Sequence, residues 1–311
     1  MRPGFLLGTT LMIKRGKILF GLLLFFSILS FGQDASYKVI VNQGNNKIDR
    51  NGDPINLKIG LTLSSTDKII LQKDSYVALL STFGETIELK GSQKLEINLS
   101  ELSGTNQKSD IISKYAAFVF DKMSPDEVEK NRKAYASVTG AVQRAVGVTA
   151  YMNKKSHLYE SFAIVRWDPG SGEAPYRIQL NDAFGNLLYT EETTNNYFKI
   201  DFMQNGLSDV DIVIITFVDA QAIKSSYSIS KSDAAAADES FSNEILQLKS
   251  YLDDNSAFQN LILAEFFEQN GYILDASTCF EKARILEPEV TYFNDAYREF
   301  LMRNKFGDRL D

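Results

Sequence analysis

Two hydrophobic periods alternate along this 311-residue chain, and their alternation dictates a mixed β and α architecture in several units. From Tyr37 to about Leu99 the apolar residues come in short bursts: YKVIVNQG, KIILQ, SYVALLST, ETIELK and KLEINL. Gly44, Asn51-Gly52-Asp53, Gly60, Asp74-Ser75, Gly84 and Gly91 punctuate them. Short Val/Ile/Leu runs bounded in this way read as strands of an all-β sandwich or roll. Asn51-Gly52 reads as a hairpin turn, because both residues tolerate positive φ. From Ser109 the period lengthens. IISKYAAFVFDKM sets Ile112, Tyr115, Ala116, Val119 and Phe120 on one helical stripe, and Ser124, Pro125 and Glu127 open a second helix with a capping box and an early proline.

Strand alternation then returns. Phe162, Ile164 and Arg166 alternate with Ala163, Val165 and Trp167; Tyr176, Ile178 and Leu180 alternate with Arg177 and Gln179; IVIITFV reads as a buried central strand. After a small, polar linker (SKSDAAAADES), Phe241, Ile245, Leu248 and Leu252 form a helical stripe, and Ser256 caps the next helix. The division that follows is a leader over 1–32, a β-domain over 36–102, a helical connector over 108–146, a β-sandwich over 150–230 and a helical unit over 238–311.

The N-terminus has the grammar of a secretory signal peptide. Lys14, Arg15 and Lys17 precede an apolar run from Ile18 to Phe31, and Ser30-Phe31-Gly32 precedes Gln33. The run is shorter than the roughly 20 residues of a spanning helix. Cleavage before Gln33 is expected, which removes four basic residues and no acid and takes the net charge from −7 to −11. That balance disfavours nucleic acid, which needs a basic footprint. No later segment reads as a membrane span, so a soluble protein of the periplasm or cell envelope is expected. The lone Cys279 excludes an internal disulfide and a cysteine-based metal site. At 44% hydrophobic residues, ordinary cores suffice for stability.

Three segments resemble known families. INLKIGLTLSSTDKIILQKDSYVALLSTFGETIEL resembles the FecR-like periplasmic domain, with Gly60, Asp67, Ile69, Ser75 and Gly84 in the matching places and Thr66 departing from the usual glycine. In FecR regulators this domain relays a signal to a cytoplasmic anti-sigma segment, for which this chain has no room before its apolar run; only the domain type carries over. WDPGSGEAPYRIQLNDAFGNLL resembles the immunoglobulin and fibronectin type III sandwiches, which implies that Trp167 fills a core. With Ala257 as position 1, Leu263, Ala264, Phe267, Ala276, Phe280, Ala283 and Pro288 match the tetratricopeptide (TPR) repeat, while Asn260 stands where Trp is usual. The SFGQ ending resembles leaders of Bacteroidetes-type exported proteins.

The TPR-like resemblance implies a groove lined by first helices, with Leu261, Glu265, Glu268 and Gln269 as candidate partner-binding residues for a basic protein or peptide of the envelope. Their rival reading is a solvated helix face, and the connector stripe is the rival occupant of the groove. No catalytic constellation stands out. His157 is the single histidine and reads as a surface residue; no Walker loop or dinucleotide fingerprint occurs; Asp67 reads as a turn residue; Asp209 and Asp211 read as a polar strand entry. The expectation is a non-enzymatic interaction or scaffold protein without metal or cofactor. The alternatives are an anchored FecR-type signalling component and a glycan-binding or glycan-active protein.

Overall fold

The computed structural model describes residues 35–102, 109–139, 147–203, 206–231, 239–253, 255–307 and 310. The leader over 1–32 and most of the linker before the last helices lie outside them. The first β unit contains β1 (Ser36–Gln43), β2 (Lys47–Arg50), β3 (Asp53–Asn56), β4 (Thr62–Ser64), β5 (Lys68–Leu71), β6 (Ser75–Ser81), β7 (Thr86–Gly91) and β8 (Leu95–Asn98). They form two antiparallel four-stranded sheets, in the orders β4-β1-β6-β7 and β3-β2-β5-β8. Asn51 and Gly52, at φ 59° and 93°, make the two-residue turn between β2 and β3, where Arg50 pairs with Asp53.

β6 is buried on both faces. Val77 and Leu79 point one way, and Tyr76 and Ala78 point the other way into a core shared with the helices. β1 carries a bulge between Val39 and Val41, and Ile40 and Val41 join that same shared core. Asp67 does more than close a turn. It accepts the amide of Ser64 and is paired bidentately with Arg50, whose guanidinium and the Ser64 amide outweigh the opposing effect of burial and hold the carboxyl below its ordinary range.

The second β unit contains β9 (Lys155–Leu158), β10 (Phe162–Arg166), β11 (Tyr176–Asn181), β12 (Leu187–Thr193), β13 (Tyr197–Asp201), β14 (Ile212–Val218) and β15 (Lys224–Lys231). A five-stranded sheet β12-β11-β14-β15-β9 faces the pair β10-β13; β9 joins β15 in parallel and the other pairs are antiparallel. Ala163, Val165 and Trp167 enter the sandwich core with Ile178, Leu180, Val213, Ile215 and Phe217. Trp167 is fully buried, with the rings of Tyr176 and Phe217 at 5.2 and 5.0 Å. It fills a core and presents no face to a ligand.

Six helices complete the described residues: α1 (Asp110–Lys122), α2 (Pro125–Thr139), α3 (Glu239–Tyr251), α4 (Ala257–Gln269), α5 (Ile273–Leu286) and α6 (Thr291–Arg303). Ser109 and Ser256 cap α1 and α4 by accepting the amides of Ile112 and Gln259. Gly271 turns the chain between α4 and α5 at φ 79°. Ala264, Ala276 and Ala283 are fully buried, as close approach of α4 and α5 demands, and Phe280 stacks on Tyr297 of α6 at 5.6 Å. None of the described helices is long and apolar enough to cross a membrane. Ser36–Asp311 forms one compact unit, because the helical core runs without a break into β1 and β6.

Candidate functional site: the helical groove and its occupant

The groove face of α4 is covered by α1. The connector stripe of Ile112, Tyr115, Ala116 and Val119 is buried in one core with Phe258, Leu261, Ile262 and Phe266 of α4. Tyr115 packs edge-on against Phe266 at 5.3 Å, and its hydroxyl donates to Glu244 of α3 at 2.7 Å. At its C-terminal end α1 inserts a cation. Lys122 Nζ lies 2.8 Å from Glu265 Oε1 and 3.2 Å from Glu268 Oε2. Arg303 of α6 approaches Glu268 from the other side with two hydrogen bonds of 3.1 and 2.8 Å, and Asn304 adds a third. Burial by itself would raise the Glu268 carboxyl, but Arg303 and Lys122 outweigh it and hold the group below its ordinary range.

The four candidate groove residues are therefore not an open surface. Leu261 is 1% exposed and Glu265 2% exposed, Glu268 is half-buried, and Gln269 alone is exposed, with its side chain donating to Glu265 at 2.7 Å. Neither an open partner-binding groove nor its rival, a solvated face, describes Leu261 and Glu265, because α1 covers both. Between α1, α4, α5 and α6 a cavity of about 10 Å³ remains, lined by Val119, Lys122, Leu261, Glu265, Phe280 and Arg303. It has room for a single water.

The opposite side of the helical pair is occupied as well. β10 has a free edge beyond its pairing with β13, and α5 covers it with polar side chains three residues apart. Asp275 accepts the amides of Tyr159 and Glu160 at 3.0 and 2.8 Å, and Thr278 accepts the amide of Ile164 at 3.0 Å. Glu281 pairs bidentately with Arg166, and Arg166 also donates to Asn196 and to the Leu310 carbonyl at 2.8 and 3.0 Å. Covering an edge in this way satisfies its orphan amides and removes a pairing hazard. Burial pushes the Asp275 carboxyl up to about 7 despite the two amides it accepts, and the nearby Glu160 pushes it the same way.

The first β unit supplies caps to the helices in turn. Glu88 of β7 accepts the Phe258 amide at 3.2 Å and the Ser256 hydroxyl, so an acid sits at the N-terminus of α4, where the helix dipole favours it. Gln43 of β1 accepts the Thr291 amide at the start of α6 at 2.8 Å and donates to the Glu289 carbonyl at 2.6 Å. These joints were invisible in the periodicity, since each couples residues more than 100 positions apart. One signal was present. Arg166 closes an otherwise apolar strand segment that includes Ala163 and Val165 and leads into Trp167, and a charge there calls for a buried partner.

His157 is exposed on β9, with Nδ1 2.9 Å from the Ser230 hydroxyl. Asp209 and Asp211 are exposed. Among the described residues no group of three His, Cys, Asp or Glu side chains is placed to hold a metal ion.

No protein-family model matches the chain. No curated protein matches it. Among solved structures, CopC from Methylosinus trichosporium OB3b matches at 15% identity over 28% of this chain and 93% of that one, with a TM-score of 0.22. The complex of Porphyromonas gingivalis RgpB pro- and mature domains matches at 10% identity over 28% of this chain and 19% of that one, also with a TM-score of 0.22. Likenesses this low carry no inference about fold or function.

Proposed function

We propose that this chain is a non-enzymatic exported protein of the periplasm or cell envelope that serves as a rigid interaction scaffold. In this reading a FecR-like β-domain and an Ig/fibronectin III-like sandwich are held together by a TPR-like helical unit, and the helical unit works inward, as a bracket. The observation that carries the reading is the use made of the buried carboxyl groups. Glu265 and Glu268 seat α1, Asp275 and Glu281 seat β10, and Glu88 seats α4. Each joins one element to another, and each is engaged by a cation, an amide or a hydroxyl of the element it joins. Investment of this kind supports a protein whose product is a fixed spacing of surfaces. An acidic net charge of −7 supports partners of basic character.

The test is site-specific photo-crosslinking of the full chain in the cell that exports it. Crosslinkers at the exposed positions 184, 246 and 285 sample the second β unit, α3 and α5. At least one should yield a discrete adduct with an envelope protein. No adduct from any position, or recovery of the protein from the cytoplasm, would remove the scaffold reading.

A further inference from the structure

One end of the second β unit carries an apolar cluster that its own fold does not use. The hairpin between β11 and β12 places Phe184 at its tip, 91% exposed, and Leu187 just beyond, 56% exposed. Asn181 pairs with both Leu187 and Ile214, so the start of β14, with Ile212 at 42% exposure, lies beside that tip. The connection that enters β14 from β13 carries Met203, 70% exposed, two residues past the end of β13. Single exposed apolar residues are ordinary, but a cluster at one end of a domain marks a contact surface.

The tip is held rigid. Asp182 accepts the amides of Phe184 and Asn186 at 2.9 and 2.8 Å and the Asn186 side-chain amide at 2.7 Å. Gly185, at φ 89°, closes the turn by donating to the Asp182 carbonyl. A turn held this way fixes the backbone that presents the aromatic side chain, so little backbone entropy is lost on binding. Aromatic anchors of this kind dominate protein interfaces.

The charge around the cluster is acidic in excess. Asp182 lies under the tip, and Asp209 and Asp211 are exposed beside it. Lys231, whose backbone amide donates to the Asp211 carbonyl, holds its ammonium on the Leu207 and Ser208 carbonyls at 3.2 and 2.6 Å, one cation against three aspartates. Anionic lipid and a second copy of the same acidic tip are both repelled by such a collar.

We infer that this tip, Phe184 with Leu187, Met203 and Ile212 inside a collar of aspartates, grips a partner protein that presents an apolar pocket rimmed by Lys or Arg. The inference rests on the scaffold reading and names the surface through which the scaffold works. Charge complementarity selects the partner, and the aromatic supplies the anchor.

A photoreactive phenylalanine analogue at position 184 tests it, with positions 246 and 285 as comparisons. The expected result is one adduct from position 184 whose crosslinked peptide carries Lys or Arg among apolar residues. Capture should fall by about tenfold or more in Phe184→Ser and weaken as salt is raised. Phe184→Ser should keep the wild-type melting temperature, so loss of capture is not loss of fold. Adducts from 246 or 285 with none from 184 would overturn the tip and leave the scaffold reading standing. An adduct between two copies of the chain, or flotation of the protein with vesicles of anionic phospholipid, would also overturn it. Silence at all three positions would end both readings.

Discussion

Lys122→Met measures whether α1 is seated in the groove. Methionine keeps most of the stem and its packing and removes only the charge. Glu265 is then left 2% exposed with its cation gone, while Glu268 keeps Arg303. Breaking a buried pair by deleting one partner costs about 3–5 kcal/mol, and the partial exposure of Lys122 argues for the lower figure, about 3 kcal/mol. Glu265→Gln is expected to cost less, about 1 kcal/mol, because the remaining lysine still has Glu268 at 3.2 Å. The double variant should lose less than the two together, with a coupling of about 1–3 kcal/mol. For a chain of this size about 3 kcal/mol lowers the melting temperature by roughly 6–12 °C. Urea and thermal unfolding followed by helical circular dichroism read all four proteins. A loss below about 2 °C for Lys122→Met, or strict additivity of the two changes, would refute the reasoning and return the groove to solvent.

The double reversal Glu265→Lys with Glu268→Lys gathers four cations around one buried site and should prevent stable folding, an outcome visible as loss of cooperative unfolding; a wild-type melting curve would mean that the face is open after all. Ala276→Arg should abolish the whole transition, because a buried unpaired charge costs about 3 kcal/mol or more and the core around this fully buried residue runs into β1 and β6. Release of a stable proteolytic fragment ending near Ser230 would show instead that the β units stand alone. Asp275, pushed up to about 7 chiefly by burial, binds its proton more tightly when folded than unfolded. Its contribution is therefore full below about pH 4 and is lost as pH rises through about 7, and Asp275→Asn should flatten the stability profile across that window. Mass spectrometry of the exported protein should find Gln33 at the N-terminus; a peptide crossing Phe31 and Ser36 would show that the leader is kept.

What was legible in the sequence was local. The stripe of α1, the Asn51-Gly52 turn and the Ser256 cap each follow from spacing over a few residues, and each is found in place. What was not legible was the second face of each element. Alternation along β10 separates Ala163, Val165 and Trp167 from Ile164 and Arg166, but it does not say that both sets are buried, one in the sandwich and one against α5. Period 2 reports two faces and is silent about what covers each. Glu265 was misread for the same reason. A glutamate on a helix reads as solvent-facing, and only a lysine 143 positions earlier in the chain turns it into a buried joint.

The same geometry bears on the role proposed for the helical unit. A single helical hairpin of this type cannot bury its own faces, and repeats normally solve this by stacking on copies of themselves. Here α1 takes one face of the pair and β10 the other, so both surfaces that a longer array would give to neighbours or partners are taken by this chain. An external peptide would have to expel α1 first. That exposes Ile112, Tyr115 and Val119, at about 1.5–3 kcal/mol each, or roughly 5–9 kcal/mol in all. By population-shift arithmetic a ligand with an intrinsic Kd of about 1 nM would then bind no better than about 5 μM. An occupant tethered in the same chain is present at an effective concentration that a free peptide rarely matches. The balance lies with α1, which supports the proposal of an internal bracket and moves the search for a partner to surfaces the fold leaves uncovered.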